Sequence, residues 1–304
     1  MNSDSQLYEA NIAIAAQQLL AEVTFKNVRD LLAEKGIEVL LLKGPHLGNT
    51  VYDSPKDRLY GDLDILVRPE DFERATNVLL ENGFKPFTFD TFTPEIRRDF
   101  KHWEFRSPWG ILVELHRWLS GHDRYPLDSV GLFPRAEKFV FGETPAMGLG
   151  VEDLLLHLCL HMGSSFFSVI EPKHVLDIAL LTRKRQLKWD TFVERCTQFS
   201  LPTIAYYALL AAKEQQHAEI PEMVFARLRP GWLRRQWLNR YLRPEDFPIY
   251  RFPEQRLTQI KIRLLLPLID RFSDWPRYLL RLGRVYGKSL WQKAAQIIRR
   301  MWRI

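Results

Sequence analysis

The chain has 304 residues, 46% of them hydrophobic, 26% charged and 12% aromatic; this excludes a disordered chain and allows one large domain or two of ordinary size. Its two cysteines, Cys159 and Cys196, exclude a disulfide framework and read as buried free thiols within helices. The charge is uneven: residues 227–304 hold 19 Lys and Arg against 5 Asp and Glu, a surplus of 14 in a chain whose total is +6, so the first 226 residues are net acidic.

The start, MNSDSQLYEA, has no basic segment leading into an apolar run, so no secretory signal is expected. The longest apolar stretches, near Leu264 to Ile269, are too short for a transmembrane segment. A cytoplasmic protein of bacterial type is the expectation. Residues Gln6 to Glu34 show helical periodicity, with Ile12, Ala15, Leu19, Leu20, Val23, Val28, Leu31 and Leu32 as the apolar stripe and Lys35-Gly36 as the stop. IEVLLLKG follows as a short strand, apolar enough to be buried on both faces. Gly44-Pro45 breaks it, and Pro45 suits the first position of a helix running to about Tyr52.

RLYGDLDILV, from Arg58 to Val67, reads as the next strand. Successive side chains on a strand point to opposite faces, so Asp62 and Asp64 share one face while Leu63, Ile65 and Val67 share the other. Two carboxylates side by side repel each other, and drawing them from water requires a cation or full solvation. RPEDFERATNVLLENGF predicts a helix, with Pro69 near its start and Gly83 as its stop. Phe84 to Phe92 reads as a further strand. HWEFRSPWGILVELHRW reads as a β-hairpin turning at Ser107-Pro108-Trp109-Gly110, with Glu114 and His116 on one face and Val113 and Leu115 on the other. From Val151 the pattern is helical: VEDLLLHLCLHMG, KHVLDIALLTRKR and TFVERCTQFSLPTIAYYALLAAKEQ are amphipathic. Within it, His157 and His161, and His174 and Asp177, have spacings that imitate a metal site, although satisfied core groups are the commoner origin. Gln255 to Ile304 is read as helical, basic and aromatic, with Trp275, Trp291 and Trp302.

Three features converge on chemistry. The turn at Lys43-Gly44 opens a helix and offers backbone N–H groups to a phosphate. Asp62 and Asp64 lie on the next strand, and Glu114 on a later one. Three carboxylates on neighbouring strands can hold two Mg²⁺ ions, which can activate an attacking hydroxyl and stabilise the leaving pyrophosphate of an NTP. Lys43 and Arg58 are the nearest basic groups to offset the phosphates.

LLKGPHLGNTVYDSPKDRLYGDLDILVRPEDFERATNVLLENGF resembles the nucleotidyltransferases of the DNA polymerase β-like superfamily. With VELHRWL and EDLLLHLCLHMG…VLDIALL, it more closely resembles a family of bacterial uncharacterised nucleotidyltransferases, over roughly residues 10 to 215. The resemblance implies that Asp62 and Asp64 are the paired metal ligands, that Glu114 is the third acidic ligand, and that Gly44 is the turn glycine beneath the triphosphate. The superfamily's usual first motif is glycine followed by glycine or serine; this chain has Lys43-Gly44-Pro45, so a lysine charge stands where serine would offer a hydroxyl.

The expected fold is α+β: a polymerase β-like core, a small mixed sheet with flanking helices, over residues 1–148, then a helical domain with a basic tail over residues 149–304. The expected activity is Mg²⁺-dependent transfer of an NMP from an NTP, ATP foremost, to a hydroxyl or phosphate of an unidentified acceptor, with Mn²⁺ as the substitute ion. Gly61 and His116 complete the site residues. The competing reading is a catalytically silent protein of the same fold whose basic helices hold RNA, an anionic surface or a protein partner.

Overall fold

The computed structural model describes residues 3–87, 101–120, 125, 127–167, 171–243, 259–261, 263–276 and 278–280. The chain forms two compact units, Met1–Leu119 with Asp128–Leu154, and Ser120–Leu127 with Leu155–Ile304. In the first, strands β1 (Leu40–Leu41), β2 (Asp62–Leu66), β3 (Lys85–Pro86), β4 (His102–Arg106) and β5 (Leu112–His116) form one sheet in the order β1-β2-β5-β4-β3. β2 and β5 are parallel and all other neighbours antiparallel, giving the small mixed sheet that the sequence predicts. Parallel pairing needs a crossover, and helix α3 (Phe72–Glu81), β3 and β4 lie in the chain between the two strands. β3 carries Pro86 at the sheet edge, where its missing N–H breaks no ladder. The predicted strand continues to Phe92, but residues 88–92 lie outside the described residues.

One face of the sheet is wholly apolar. Leu63, Ile65, Phe105, Val113 and Leu115 pack with Phe25, Val28 and Leu32 of helix α1 (Ser3–Ala33) and with Phe72, Ala75 and Leu79 of α3. Burying each large side chain contributes about 1.5–3 kcal/mol, so a one-residue slip that turned two of them outward in either central strand would cost about 3–6 kcal/mol, a large share of a domain's net stability. That constraint commits Asp62, Asp64, Glu114 and His116 to the other face.

Two local expectations need correction. On α1 the buried positions are Ala21, Thr24, Phe25, Val28 and Leu32, whereas Ile12, Leu19, Leu20 and Val23 of the predicted stripe are exposed. The periodicity was real but its phase was set by where the sheet lies, and Thr24 enters the core because its hydroxyl donates to Leu20 O at 2.7 Å. Helix α2 (Lys43–Thr50) begins two residues before Pro45, and the left-handed residue at its start is Lys43, with φ +40°, not Gly44. Gly44 is small for another reason: a Cβ there would lie 2.6 Å from Tyr60 Cβ.

A second hairpin, β6 (Glu137–Phe141) and β7 (Thr144–Gly148), turns at Gly142 with φ +59°. Its Phe139 ring stacks on buried His46 at 4.8 Å, and its Phe141 ring meets Phe25 at 5.7 Å. The alternation in EKFVF was its signal.

The division between the units falls inside helix α4 (Val151–Ser164). Helices α5 (Pro172–Lys184), α6 (Trp189–Gln198), α7 (Pro202–Gln216), α8 (Glu222–Leu228) and α9 (Trp232–Leu238) follow. The amphipathic stretch from Thr191 to Gln215 is therefore two helices: Ser200 turns left-handed at φ +59° and Pro202 starts α7 afresh. The Asp270 carboxylate caps α7 from a distance, accepting Thr203 N–H at 2.9 Å, the Thr203 hydroxyl at 2.5 Å and Arg234 Nη1 at 2.5 Å. Cys159 and Cys196 are buried free thiols, both pushed up in pKa by burial. His161 meets His174 edge to face at 4.9 Å, and His174 Nδ1 accepts the Glu171 N–H within a capping box. Most of the predicted tail, including Trp291 and Trp302, lies outside the described residues. Among the described residues no helix is long and apolar enough to cross a membrane.

Candidate active site

The polar face of the sheet assembles by register. β2 pairs with β5 so that Asp64 stands beside Glu114, with Asp62 opposite Leu112 and Leu66 opposite His116. β4 pairs with β5 so that Glu104 stands beside Glu114 and His102 beside His116. The Leu42 N–H donates to Asp64 O at 2.9 Å, which ties the start of α2 to the same strand. Lys43 follows directly, and its Nζ reaches Asp64 Oδ2 at 3.0 Å.

His116 sits at the centre, 1% exposed. Its Nε2 lies 2.7 Å from Asp64 Oδ1 and 3.1 Å from Glu114 Oε2. A carboxylate can only accept, so the ring proton is on Nε2 and donates to both. His102 Nε2 lies 3.4 Å from Glu104 Oε1 and 3.7 Å from Glu114 Oε2, and the His102 and His116 rings are 4.7 Å apart.

The charges have opposite fates on adjacent positions. Burial alone would raise Asp64, but Lys43 and the His116 hydrogen bond outweigh it and hold the carboxyl well below its usual range. Asp62 is raised to about 6 by burial, by Asp64 and by Glu114. Among the described residues no hydrogen bond or ion pair engages its side chain. Burial disfavours the Lys43 ammonium, yet Asp64 and Glu114 more than offset this and raise it. Lys101 is lowered by burial and by Lys43, and His102 falls to about 2 through burial, His116 and Lys101. Glu104 is raised by burial and by Glu114.

Four carboxylates, Asp62, Asp64, Glu104 and Glu114, thus face two ammonium groups, Lys43 and Lys101, with His102 neutral. His116 adds positive character between Asp64 and Glu114, and Asp62 is left with burial and repulsion dominant. Hard oxygen donors and a carboxylate with no hydrogen-bond partner of its own fit Mg²⁺.

Of the sequence-predicted residues, Lys43, Asp62, Asp64, Glu114 and His116 lie together. A Cβ added at Gly61 would meet nothing within 4 Å, so space is open beside Asp62. Arg58 is 5% exposed, donates from Nη1 to Leu59 O at 2.6 Å, and is not among the charges acting most on Asp62. Sequence reasoning missed Lys101, His102 and Glu104. The signal was present: a hairpin turning at Ser107–Gly110 pairs position 102 with 116 and 104 with 114 by counting outward.

The site thus sits on a small mixed sheet with one face buried by helices and the other lined with carboxylates. The chain belongs to the uncharacterised nucleotidyltransferase family, which it matches over residues 2–215, and it is accordingly an enzyme that transfers nucleotidyl groups. Among solved structures it is similar to the lincomycin-bound lincosamide antibiotic adenylyltransferase LnuA, with 14% identity over 54% of this chain and 97% of that chain and a TM-score of 0.37. It is similar to the antibiotic-resistance factor ANT(2'')-Ia, with 11% identity over 67% of this chain and 97% of that one and a TM-score of 0.40. An antigenic nucleotidyltransferase-like protein from Paracoccidioides brasiliensis gives 13% identity, 67% and 96% coverage and a TM-score of 0.41. No curated protein sequence matches.

Proposed function

We propose that this nucleotidyltransferase moves an NMP from an NTP, with ATP as the preferred donor, to a hydroxyl or phosphate of an acceptor, in a Mg²⁺-dependent reaction. The observation that carries the reading is the acidic face itself: Asp62 beside Asp64 on β2, in register with Glu114 on β5, with the Asp62 carboxyl raised by burial and by the other two carboxylates. Asp62, Asp64 and Glu114 would hold two Mg²⁺ ions, with Mn²⁺ able to substitute, and those ions would supply phosphate neutralisation and activation of the attacking oxygen.

The remaining roles belong to the chain. Lys43 exchanges Asp64 for a phosphate oxygen, a move its single long side chain permits. The start of α2 has no side-chain cap, so its first N–H groups can receive phosphate near Gly44, and Gly61 leaves room for it. Arg58 adds positive charge behind this loop. His116 spaces Asp64 and Glu114 by donating to both. We take residues 1–148 as the nucleotidyltransferase domain and residues 149–304 as the helical domain, with the basic surplus of its C-terminal part serving an anionic partner.

The test is incubation of the full chain with Mg²⁺, each NTP in turn and cell extract, followed by mass spectrometry for a product heavier by one nucleoside monophosphate. Asp64→Asn should lower transfer by at least about a hundredfold with an unchanged circular-dichroism spectrum. Full activity in that variant would remove the assignment.

A further inference from the structure

We propose that His102, His116 and Glu114 form a binding site for one borderline divalent cation of the zinc class, sharing Glu114 with the Mg²⁺ positions that Asp62 and Asp64 would hold. Three donor atoms converge: His116 Nε2 and His102 Nε2 lie 3.1 Å and 3.7 Å from Glu114 Oε2, and all three fall within 4.8 Å of one another. Ligands about 2.0–2.1 Å from a tetrahedral ion stand about 3.3 Å apart, so small side-chain movements close the triangle. The donor chemistry is the point of difference. Mg²⁺ takes oxygen and dehydrates reluctantly, whereas two imidazoles with one carboxylate suit Zn²⁺, Co²⁺ or Mn²⁺.

The elements that hold the three ligands are rigid. β4 and β5 pair along their length, His102 opposite His116, and the ring of each histidine packs on the other at 4.7 Å. Three protein ligands leave a fourth position for solvent or an oxygen ligand, the pattern of an open rather than a structural site. The ion takes the place of the His116 Nε2 proton, the ring changing tautomer so that its proton sits on Nδ1, and Asp64 loses that hydrogen bond and is freed for the nucleotide side. The site rests on the proposed function only in sharing Glu114.

The probe is Co²⁺ alone, titrated into the full chain without nucleotide. One Co²⁺ per chain should bind with the intense visible absorption of four-coordinate cobalt, and one equivalent of Zn²⁺ should displace it. His102→Gln should weaken Co²⁺ binding by at least about tenfold, and Asp62→Asn should leave it unchanged. Independently of any variant, the imidazole nitrogen resonances of His102 and His116 should shift when Zn²⁺ is added to the unmodified chain. A pale six-coordinate spectrum, equal affinity in His102→Gln, loss of the band in Asp62→Asn, or unshifted imidazole resonances would each overturn the site and leave a hydrogen-bonded cluster. Mg²⁺-supported transfer without cobalt binding sinks this inference alone; cobalt binding without any transfer sinks the proposed function alone.

Discussion

Asp62 concentrates the electrostatic strain of the protein. Its neighbour two positions on holds Lys43 and His116 directly; at Asp62 burial and the repulsion of Asp64 and Glu114 outweigh the more distant pull of the same two groups. Because its pKa in the folded state is raised from 3.8 to about 6, its contribution to metal-free stability is present below the unfolded value and lost as pH rises through about 6. Asp64 has the opposite sign: its depressed pKa stabilises the fold above the unfolded value and is lost in acid. At neutral pH with chelator, Asp62→Asn should therefore melt about 2–4 °C above the parent chain, and the gap should narrow near pH 5. Adding Mg²⁺ with NTP should stabilise the parent and not the variant. Scanning fluorimetry reads all three; a variant no more stable than the parent at neutral pH would show that Asp62 is not strained. The pair Asp62 and Asp64 was legible in sequence because alternation alone puts them on one face. Their unequal charge states were not, since Lys43 and His116 come from other elements.

Elements set the tolerance of the glycines around the site. Gly44 lies at the start of α2 against Tyr60 Cβ, an atom fixed to the backbone, whereas the space at Gly61 is open. Gly44→Ala should cost about 1–3 kcal/mol of stability by overpacking. Gly61→Ala should leave melting unchanged and raise the KM for NTP, because the added methyl enters the space proposed for the nucleotide. Equal melting temperatures for the two variants would contradict the close approach. The strands and the Ser107–Gly110 turn were readable because turn chemistry and period-two alternation are local. The phase of α1, the β6–β7 hairpin and the break between α6 and α7 were harder. For α1 the deciding fact is which side meets the sheet, so Leu19 and Val23 stand exposed while Thr24 is buried.

At the scale of the whole molecule the net charge divides the chain. The surplus of 14 in residues 227–304 is the ground for the proposed anionic partner. If that partner is RNA, the association constant with a single-stranded oligonucleotide should fall by at least about tenfold between low and moderate salt, measured by fluorescence anisotropy. A flat dependence would exclude a nucleic-acid tether. The sequence by itself determined the acidic pair, the later glutamate, the mixed α+β class and the family, because spacing and periodicity are properties of neighbours along the chain. Only the tertiary structure decided that Lys43 engages Asp64, that His116 bridges Asp64 and Glu114, and that His102 and Glu104 join them. Those contacts depend on strand register across the sheet, where residues 52 positions apart in the chain meet at 2.7 Å.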